Sequence, residues 1–145
     1  MVLGIGVDIV QVNRFKFWVN YPAKQLVHVF SQPEIEYIFS GSQELAMQRM
    51  ASRFAAKEAF YKALSSTLIR FKNTEETISF LSSCKAVWVM SGPWEVPQLV
   101  VDWSFFEKRL AIKLPDLDTN LSISHEKDYA VAYVMIQLDP GSGPG

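Results

Sequence analysis

The longest helical candidate runs from Gln43 to about Ser65 without proline or glycine, and no other feature of the sequence limits the fold as strongly. Its residues are mostly good helix formers, and the preceding run Ser40-Gly41-Ser42 is typical of a turn. We therefore predict one long helix over 43–65, against which the other elements of the chain pack.

One side of this predicted helix is apolar, but a single carboxylate interrupts it. At 100° per residue, that side carries Met47, Met50, Ala51, Phe54, Ala55 and Tyr61. Glu58 falls in the middle of these residues, where a carboxylate needs a partner. Violations of the apolar pattern concentrate at functional sites. The plainer alternative is an ion pair between Glu58 and Lys62, one turn later, with no further role.

A second unusual carboxylate, Asp8, lies in the first predicted strand, Leu3 to Val10. Alternate positions of this strand carry Gly4, Gly6 and Asp8, so the carboxylate shares a face with two glycines. The missing side chains allow another backbone or a ligand to approach closely, and a carboxylate on such a face requires a cation or hydrogen-bond donors.

The remaining pattern predicts an α+β fold. A shorter helix is expected from Ser31 to Phe39, because Ser31 and Glu34 have the spacing of a capping box. Trp103 to Leu110 is a further candidate helix. Alternating or β-branched segments predict strands over 85–90, 98–102, 111–114, 121–124 and 129–138. We expect a single domain over 1–138 and a disordered tail over 139–145, which is rich in Gly, Pro and Ser.

Composition excludes several classes of protein. A formal net charge of −1 argues against broad capture of nucleic acid. The single cysteine, Cys84, cannot form an internal disulfide or a thiolate metal site. We find no membrane span or targeting peptide and expect a cytoplasmic protein; a processed enzyme of the mitochondrial or another organellar matrix is the alternative.

Asp8 and Glu58 together suit one Mg²⁺, which commonly takes one or two protein carboxylates and completes its shell with water and phosphate oxygens. Arg53, Lys57 and Lys62 surround Glu58 along the predicted helix and supply positive charge for a polyphosphate. From the residues alone, the prediction is a metal-assisted phosphate site.

Three separated segments resemble the holo-acyl-carrier-protein synthase family of 4′-phosphopantetheinyl transferases. They read GIGVDIV at 4–10, followed by Arg14-Phe15; RFAAKEAFYKAL at 53–64; and LSISH at 121–125, followed by DYAVA at 128–132. The resemblance implies the phosphopantetheinyl transferase-like fold, with an antiparallel or mixed sheet packed against the long helix. It fades between about 65 and 120, where the family usually has a glycine-containing turn.

The resemblance implies transfer of 4′-phosphopantetheine from coenzyme A to a serine of an apo acyl carrier protein, in fatty acid or related synthesis. It also implies that Asp8 and Glu58 bind Mg²⁺, and that Lys62 contacts the coenzyme A phosphates and acts in catalysis with both carboxylates. Arg53 and His125 would hold the nucleotide half, and Arg14 would face the acidic carrier. Glu58, Asp8 or a metal-bound water could accept the serine proton.

The family's small members imply a homotrimer with sites at subunit boundaries. Two alternatives to the transferase stay open. One is a carrier-protein or coenzyme A binding module that keeps the fold without turnover, and the other is an unrelated magnesium phosphohydrolase.

Overall fold

The strands form two antiparallel units. The computed structural model describes residues 1–71 and 76–142. Its strands are β1 (Val2–Gln11), β2 (Val87–Ser91), β3 (Pro97–Val101), β4 (Leu117–His125) and β5 (Tyr129–Leu138). They pair in the order β1-β5-β4 in one sheet, while β2 and β3 form a separate pair. Asp8 lies opposite Ala132 in the sheet, and His125 lies opposite Ala130. The predicted α+β class is confirmed.

One helix, α3 (Gln43–Phe71), is much longer than the other helices. The others are α1 (Ala23–Leu26), α2 (Gln32–Ile38), α4 (Phe80–Ser83) and α5 (Trp103–Leu110). Short 3₁₀ turns cover Val12–Phe15, Trp18–Asn20, Cys84–Ala86, Pro93–Glu95 and Pro140–Ser142. The predicted long helix is confirmed as α3, although it continues past the expected end at 65. Buried residues occur on most sides of α3, because the three-stranded sheet, the β2–β3 pair and aromatic side chains all pack around it.

Helix α3 crosses the sheet at β1, where the two backbones meet directly. A Cβ built on Gly6 would overlap the carbonyl oxygen of Ala59 and come within 2.8 Å of the Ala63 nitrogen. A Cβ on Gly4 would overlap Ala63 in the same way. The predicted glycine face of β1 is therefore the face that packs on α3, and it brings Asp8 beside the helix.

The opposite face of β1 is apolar and open to solvent. Ile5, Val7 and Ile9 are each more than half exposed, and Tyr129 and Tyr133 of β5 are 47% and 43% exposed beside them. Leu3 does not join this face. The register between β1 and β5 shifts between Val2 and Gly4, and Leu3 is buried.

Helix α2 begins as predicted. Ser31 is its N-cap, the Ser31 hydroxyl accepts a hydrogen bond from the Glu34 backbone N–H, and Glu34 Oε1 accepts one from the Ser31 backbone N–H at 2.8 Å. This reciprocal pair is the capping box that the sequence indicated.

The predicted strand over 111–114 is wrong. Ala111 takes a left-handed conformation, with φ 51°, at the end of α5. The following chain turns back on that helix: the Ile112 N–H donates to the Glu107 carbonyl at 3.1 Å, and the Leu114 N–H donates to the Glu107 carboxylate at 3.2 Å. These bonds take up donors that a strand would use for pairing.

The predicted tail over 139–145 extends beyond the described residues from 143 onward, and 140–142 form a 3₁₀ turn. Within 1–71 and 76–142, no helix combines the length and the apolar character needed to cross a membrane.

Candidate active site

Asp8 and Lys62 meet where β1 crosses α3. Lys62 Nζ lies 3.1 Å from Asp8 Oδ1 and donates a second hydrogen bond to the Val7 carbonyl oxygen at 3.0 Å. The Asp8 side chain is 16% exposed and the Lys62 side chain 52% exposed, so the pair lies at the edge of the core. The second carboxylate oxygen, Oδ2, is buried and has no hydrogen-bond partner among the described residues.

Glu58 lies one turn before Lys62 on α3 and is half-buried. Burial raises the pKa of the Glu58 carboxyl, and the nearby negative charge of Asp8 raises it further; Lys62 and Arg14 act in the opposite direction. Lys62 pairs with Asp8, and Glu58 forms no ion pair among the described residues. The plain alternative, an isolated Glu58–Lys62 pair, is therefore wrong.

The two carboxylates fit a divalent cation. The orphaned Oδ2 of Asp8 and the unpaired carboxylate of Glu58 are hard oxygen donors, which Mg²⁺ prefers. Within the described residues no group of three or more His, Cys, Asp or Glu forms a complete metal cage. A two-carboxylate set leaves most positions of an octahedral ion for water and phosphate oxygens.

Arg14 lies on the 3₁₀ turn that follows β1, close to this site. Its guanidinium carbon is 4.7 Å from the ring centroid of Phe54 and 5.9 Å from that of Phe15. The side chain remains exposed while its charge lowers the Glu58 pKa. Arg14 thus combines an exposed guanidinium group with proximity to Glu58.

A cleft of about 280 Å³ opens beside α3, about two turns before Lys62 and apart from the carboxylates described above. Arg53 and His125, both predicted from the sequence, line it together. Tyr37, Arg49 and Ser91 line it as well, and sequence reasoning did not identify them as site residues. The guanidinium groups of Arg49 and Arg53 and the imidazole of His125 are possible donors to an anion in this cleft, which Glu95 lines as well.

Lys57 does not contribute to either site, and its predicted role beside Glu58 is wrong. Its side chain is fully buried: Nζ lies 2.7 Å from Glu34 Oε1 and donates to the Val29 carbonyl oxygen at 2.6 Å. Glu34 Oε2 accepts a further hydrogen bond from the Val89 N–H at 3.1 Å. The pair joins α2, α3 and β2, so the charge of Lys57 is used inside the core.

Comparison with known proteins identifies the family of the chain. Residues 4–134 match the family model described as the 4′-phosphopantetheinyl transferase superfamily. A holo-[acyl-carrier-protein] synthase of Treponema denticola is 47% identical over 138 residues, covering 94% of this chain and 99% of the relative. One from Ehrlichia canis is 34% identical over 140 residues, covering 94% of each chain.

Solved structures give the same result for the fold. An ACPS–CoA complex from Chronobacterium ammoniagenes superposes with a TM-score of 0.73 at 26% identity, covering 94% of this chain and 97% of that one. A holo-(acyl-carrier-protein) synthase from Bacillus anthracis, in complex with CoA (3′,5′-ADP), gives 0.67 at 26% identity, covering 96% and 99%. The chain belongs to the 4′-phosphopantetheinyl transferase superfamily, and within it to the holo-[acyl-carrier-protein] synthases.

Proposed function

We propose that this protein transfers 4′-phosphopantetheine from coenzyme A to a serine of an apo acyl carrier protein and releases adenosine 3′,5′-bisphosphate. The observation that carries the proposal is the meeting of Asp8, Glu58 and Lys62 at the crossing of β1 and α3. A cleft lined by Arg53 and His125 opens along the same helix α3, in a chain of this family.

Mg²⁺ is the proposed cofactor, with Asp8 and Glu58 as its protein ligands. The orphaned carboxylate oxygen of Asp8 and the increase that the Asp8 charge causes in the Glu58 pKa support this assignment. When bound, the ion would polarise the pyrophosphate and offset charge that develops on its oxygens.

Lys62 would also offset the negative charge that develops on the pyrophosphate oxygens. Its ammonium is anchored by Asp8 and by the Val7 carbonyl, and its remaining donor can reach a phosphate oxygen. The attacking serine must lose its proton near the transition state. Glu58 and Asp8 are the carboxylates at hand, and Glu58 is the one without an ion pair among the described residues.

The nucleotide half of coenzyme A would occupy the cleft that Arg53 and His125 line. Arg53 is buried except for 8% of its surface, whereas His125 is exposed at the end of β4. Together they give the cleft one deep and one superficial donor group for phosphate oxygens.

The carrier protein would dock beside Arg14. Arg14, Lys16 and Lys24 are exposed on neighbouring turns, and Phe17 between them is 71% exposed. A basic surface on a protein of net charge −1 would steer an acidic partner to this region. Association should therefore weaken as salt is added.

A homotrimer is the proposed assembly. Support comes from the apolar outer face of the sheet, formed by Ile5, Val7, Ile9, Tyr129 and Tyr133, since contiguous exposed apolar surface marks sites of association. Light scattering after gel filtration should give about three times the chain mass of 16.5 kDa. Ile9→Lys should dissociate the assembly, whereas Leu81→Lys, at an exposed position elsewhere, should leave it intact. A wild-type monomer would refute the trimer.

The cellular setting also remains a proposal. The curated relatives described above come from bacteria, which supports a cytoplasmic enzyme that serves fatty acid synthesis. We therefore expect the protein to modify the acyl carrier protein of fatty acid synthesis in preference to other carriers.

The test of the function is the intact mass of an apo acyl carrier protein after incubation with this protein, coenzyme A and Mg²⁺. A phosphopantetheine adduct that requires Mg²⁺ and disappears with chelator supports the proposal. If several apo carriers bind but stay unmodified, the protein is a binding module without turnover. If phosphate is released from nucleotides without any carrier, it is a phosphohydrolase.

A further inference from the structure

One exposed aromatic ring, that of Tyr37, is contacted by two guanidinium groups. The Arg53 guanidinium carbon lies 4.0 Å from the Tyr37 ring centroid, and that of Arg49 lies 4.3 Å from the same centroid. Both distances are well inside the range of cation–π contacts. Tyr37 projects from α2, whereas both arginines project from successive turns of α3, so the ring connects the two helices.

Arg49 is further fixed by the end of α2. Its Nη1 donates to the Tyr37 carbonyl oxygen at 2.8 Å and to the Ser40 hydroxyl at 2.9 Å. Carbonyls at the C-terminal end of a helix lack intrahelical partners and attract cations. The position of the Arg49 guanidinium therefore depends on the place where α2 ends.

The two arginines carry like charges. Neither forms an ion pair among the described residues, and the buried Nε of Arg53 has no hydrogen-bond partner there. The cleft that both residues line also contains His125, Ser91 and one carboxylate, that of Glu95. Two adjacent guanidinium groups with unused donors are complementary to a dianion, above all a phosphate monoester, which accepts several charge-assisted hydrogen bonds.

We propose that Tyr37 is a positioning residue for the phosphate monoester of the substrate: its ring holds Arg49 and Arg53 side by side against their mutual repulsion. This inference rests on the proposed function, in which the cleft receives the nucleotide of coenzyme A. The monoester is then the 3′-phosphate, and Tyr37 contributes to the preference for coenzyme A over 3′-dephospho-coenzyme A.

The test compares Tyr37→Leu, which removes the ring, with Tyr37→Phe, which keeps it. The KM of Tyr37→Leu for coenzyme A should rise about tenfold, the size expected from two partly desolvated cation–π contacts. Its KM for 3′-dephospho-coenzyme A and its kcat should stay within about twofold of wild type, since those contacts act through the monoester. Tyr37→Phe should restore most of the affinity for coenzyme A.

Phe39→Leu is the matched control. Phe39 and Tyr37 lie near the same end of α2 and are both 41% exposed, but among the described residues no guanidinium group contacts the Phe39 ring. Phe39→Leu should therefore reproduce any general loosening of α2 without the change in KM. Thermal unfolding of each variant reports that loosening directly.

Calorimetric titration with adenosine 3′,5′-bisphosphate and with adenosine 5′-monophosphate tests the cleft without turnover. Tyr37→Leu should lose about tenfold in affinity for the bisphosphate only. An equal loss for both nucleotides, an equal KM change for both coenzymes, or a Phe variant as poor as the Leu variant would overturn the inference. A wild-type protein that binds the bisphosphate but transfers nothing would refute the proposed function alone; one that binds neither nucleotide would refute both.

Discussion

Lys57 Nζ lies 2.7 Å from Glu34 Oε1, and neither side chain has any exposure to solvent. Glu34 is at the same time the acceptor for two backbone N–H groups, those of Ser31 and Val89. Removing the cation leaves a buried carboxylate without its charge partner, so Lys57→Met should lower the free energy of unfolding by about 3–5 kcal/mol. Urea unfolding measures the change.

The control for this variant is Lys127→Met, which removes an exposed lysine from a turn and should change stability by less than about 0.5 kcal/mol. The double variant Glu34→Leu/Lys57→Met should regain part of the loss, because no buried charge then remains. Equal stabilities of Lys57→Met and wild type would show that the pair does not hold these elements together.

Gly6→Ala should destabilise the protein by about 1–3 kcal/mol or more, since the added Cβ has no space beside Ala59 and Ala63. Transfer activity should fall as well, because β1 and α3 must separate and carry Asp8 away from Lys62. Gly141→Ala, whose Cβ would lie 3.3 Å from Asp139 Oδ1, is the comparison. Calorimetry and the transfer assay would refute the close approach if both variants behave alike.

Glu58→Gln should lower the rate of transfer by at least about a hundredfold while the fold survives, because the amide keeps the volume but loses the charge that would hold Mg²⁺. Glu44→Gln, an exposed change in the first turn of the same helix, should leave the rate unchanged. The measurement is the initial rate over a series of Mg²⁺ concentrations. Wild-type rates in Glu58→Gln would remove Glu58 from the proposed metal site.

Arg14→Ala should raise the KM for the carrier protein by about 3–10-fold and leave the KM for coenzyme A within about twofold, if Arg14 docks the partner. The effect should shrink at high salt, where the wild-type attraction is screened. Steady-state kinetics at two ionic strengths, with each substrate varied in turn, provide the measurement. Equal changes in both KM values would instead place Arg14 in the coenzyme A site.

Burial raises the pKa of the Cys84 thiol from its ordinary value of 9.0 to about 12. The folded thiol therefore keeps its proton at pH values where the unfolded thiol loses it. Its contribution to stability is complete below about pH 9 and is lost as the pH rises from there toward 12.

The advantage of wild type over Cys84→Ala should consequently shrink by about 1.4 kcal/mol between pH 8 and pH 10. Urea unfolding at the two pH values measures the difference in unfolding free energy between wild type and Cys84→Ala. Taking this difference cancels the titration of the lysines and tyrosines that both proteins share. A difference that does not change with pH would show that the thiol ionises as readily in the folded state as in the unfolded chain.

The elements and carboxylates that local patterns encode could be predicted from the sequence. Asp8 and Glu58 could be found because each breaks an apolar pattern within its own strand or helix, and the capping box of α2 spans only four residues. The family resemblance added Arg53 and His125, which the structure brings together in one cleft. Secondary structure failed at 111–114, where apolar residues follow a helix but their N–H groups are bonded back to it.

Contacts between distant segments could not be predicted in the same way. Lys57 and Glu34 are 23 positions apart, and each has an ordinary local explanation, as a cation on α3 and as a capping residue on α2. The stacking of Tyr37 on two arginines depends on how α2 lies across α3. Cationic residues at helical spacing are usually solvated, so no local pattern indicates that Lys57 is buried or that Arg49 and Arg53 contact the same ring.

The register shift between Val2 and Gly4 has a consequence for how related chains can differ in length. Beyond it, β1 pairs residue by residue with β5, and each position faces either α3 or the outer surface. An insertion of one residue between Gly4 and Asp8 would direct Asp8 away from Lys62 and press a branched side chain against the helix. An insertion before the shift would be absorbed there. Natural length variation in this strand should therefore be confined to its first three residues.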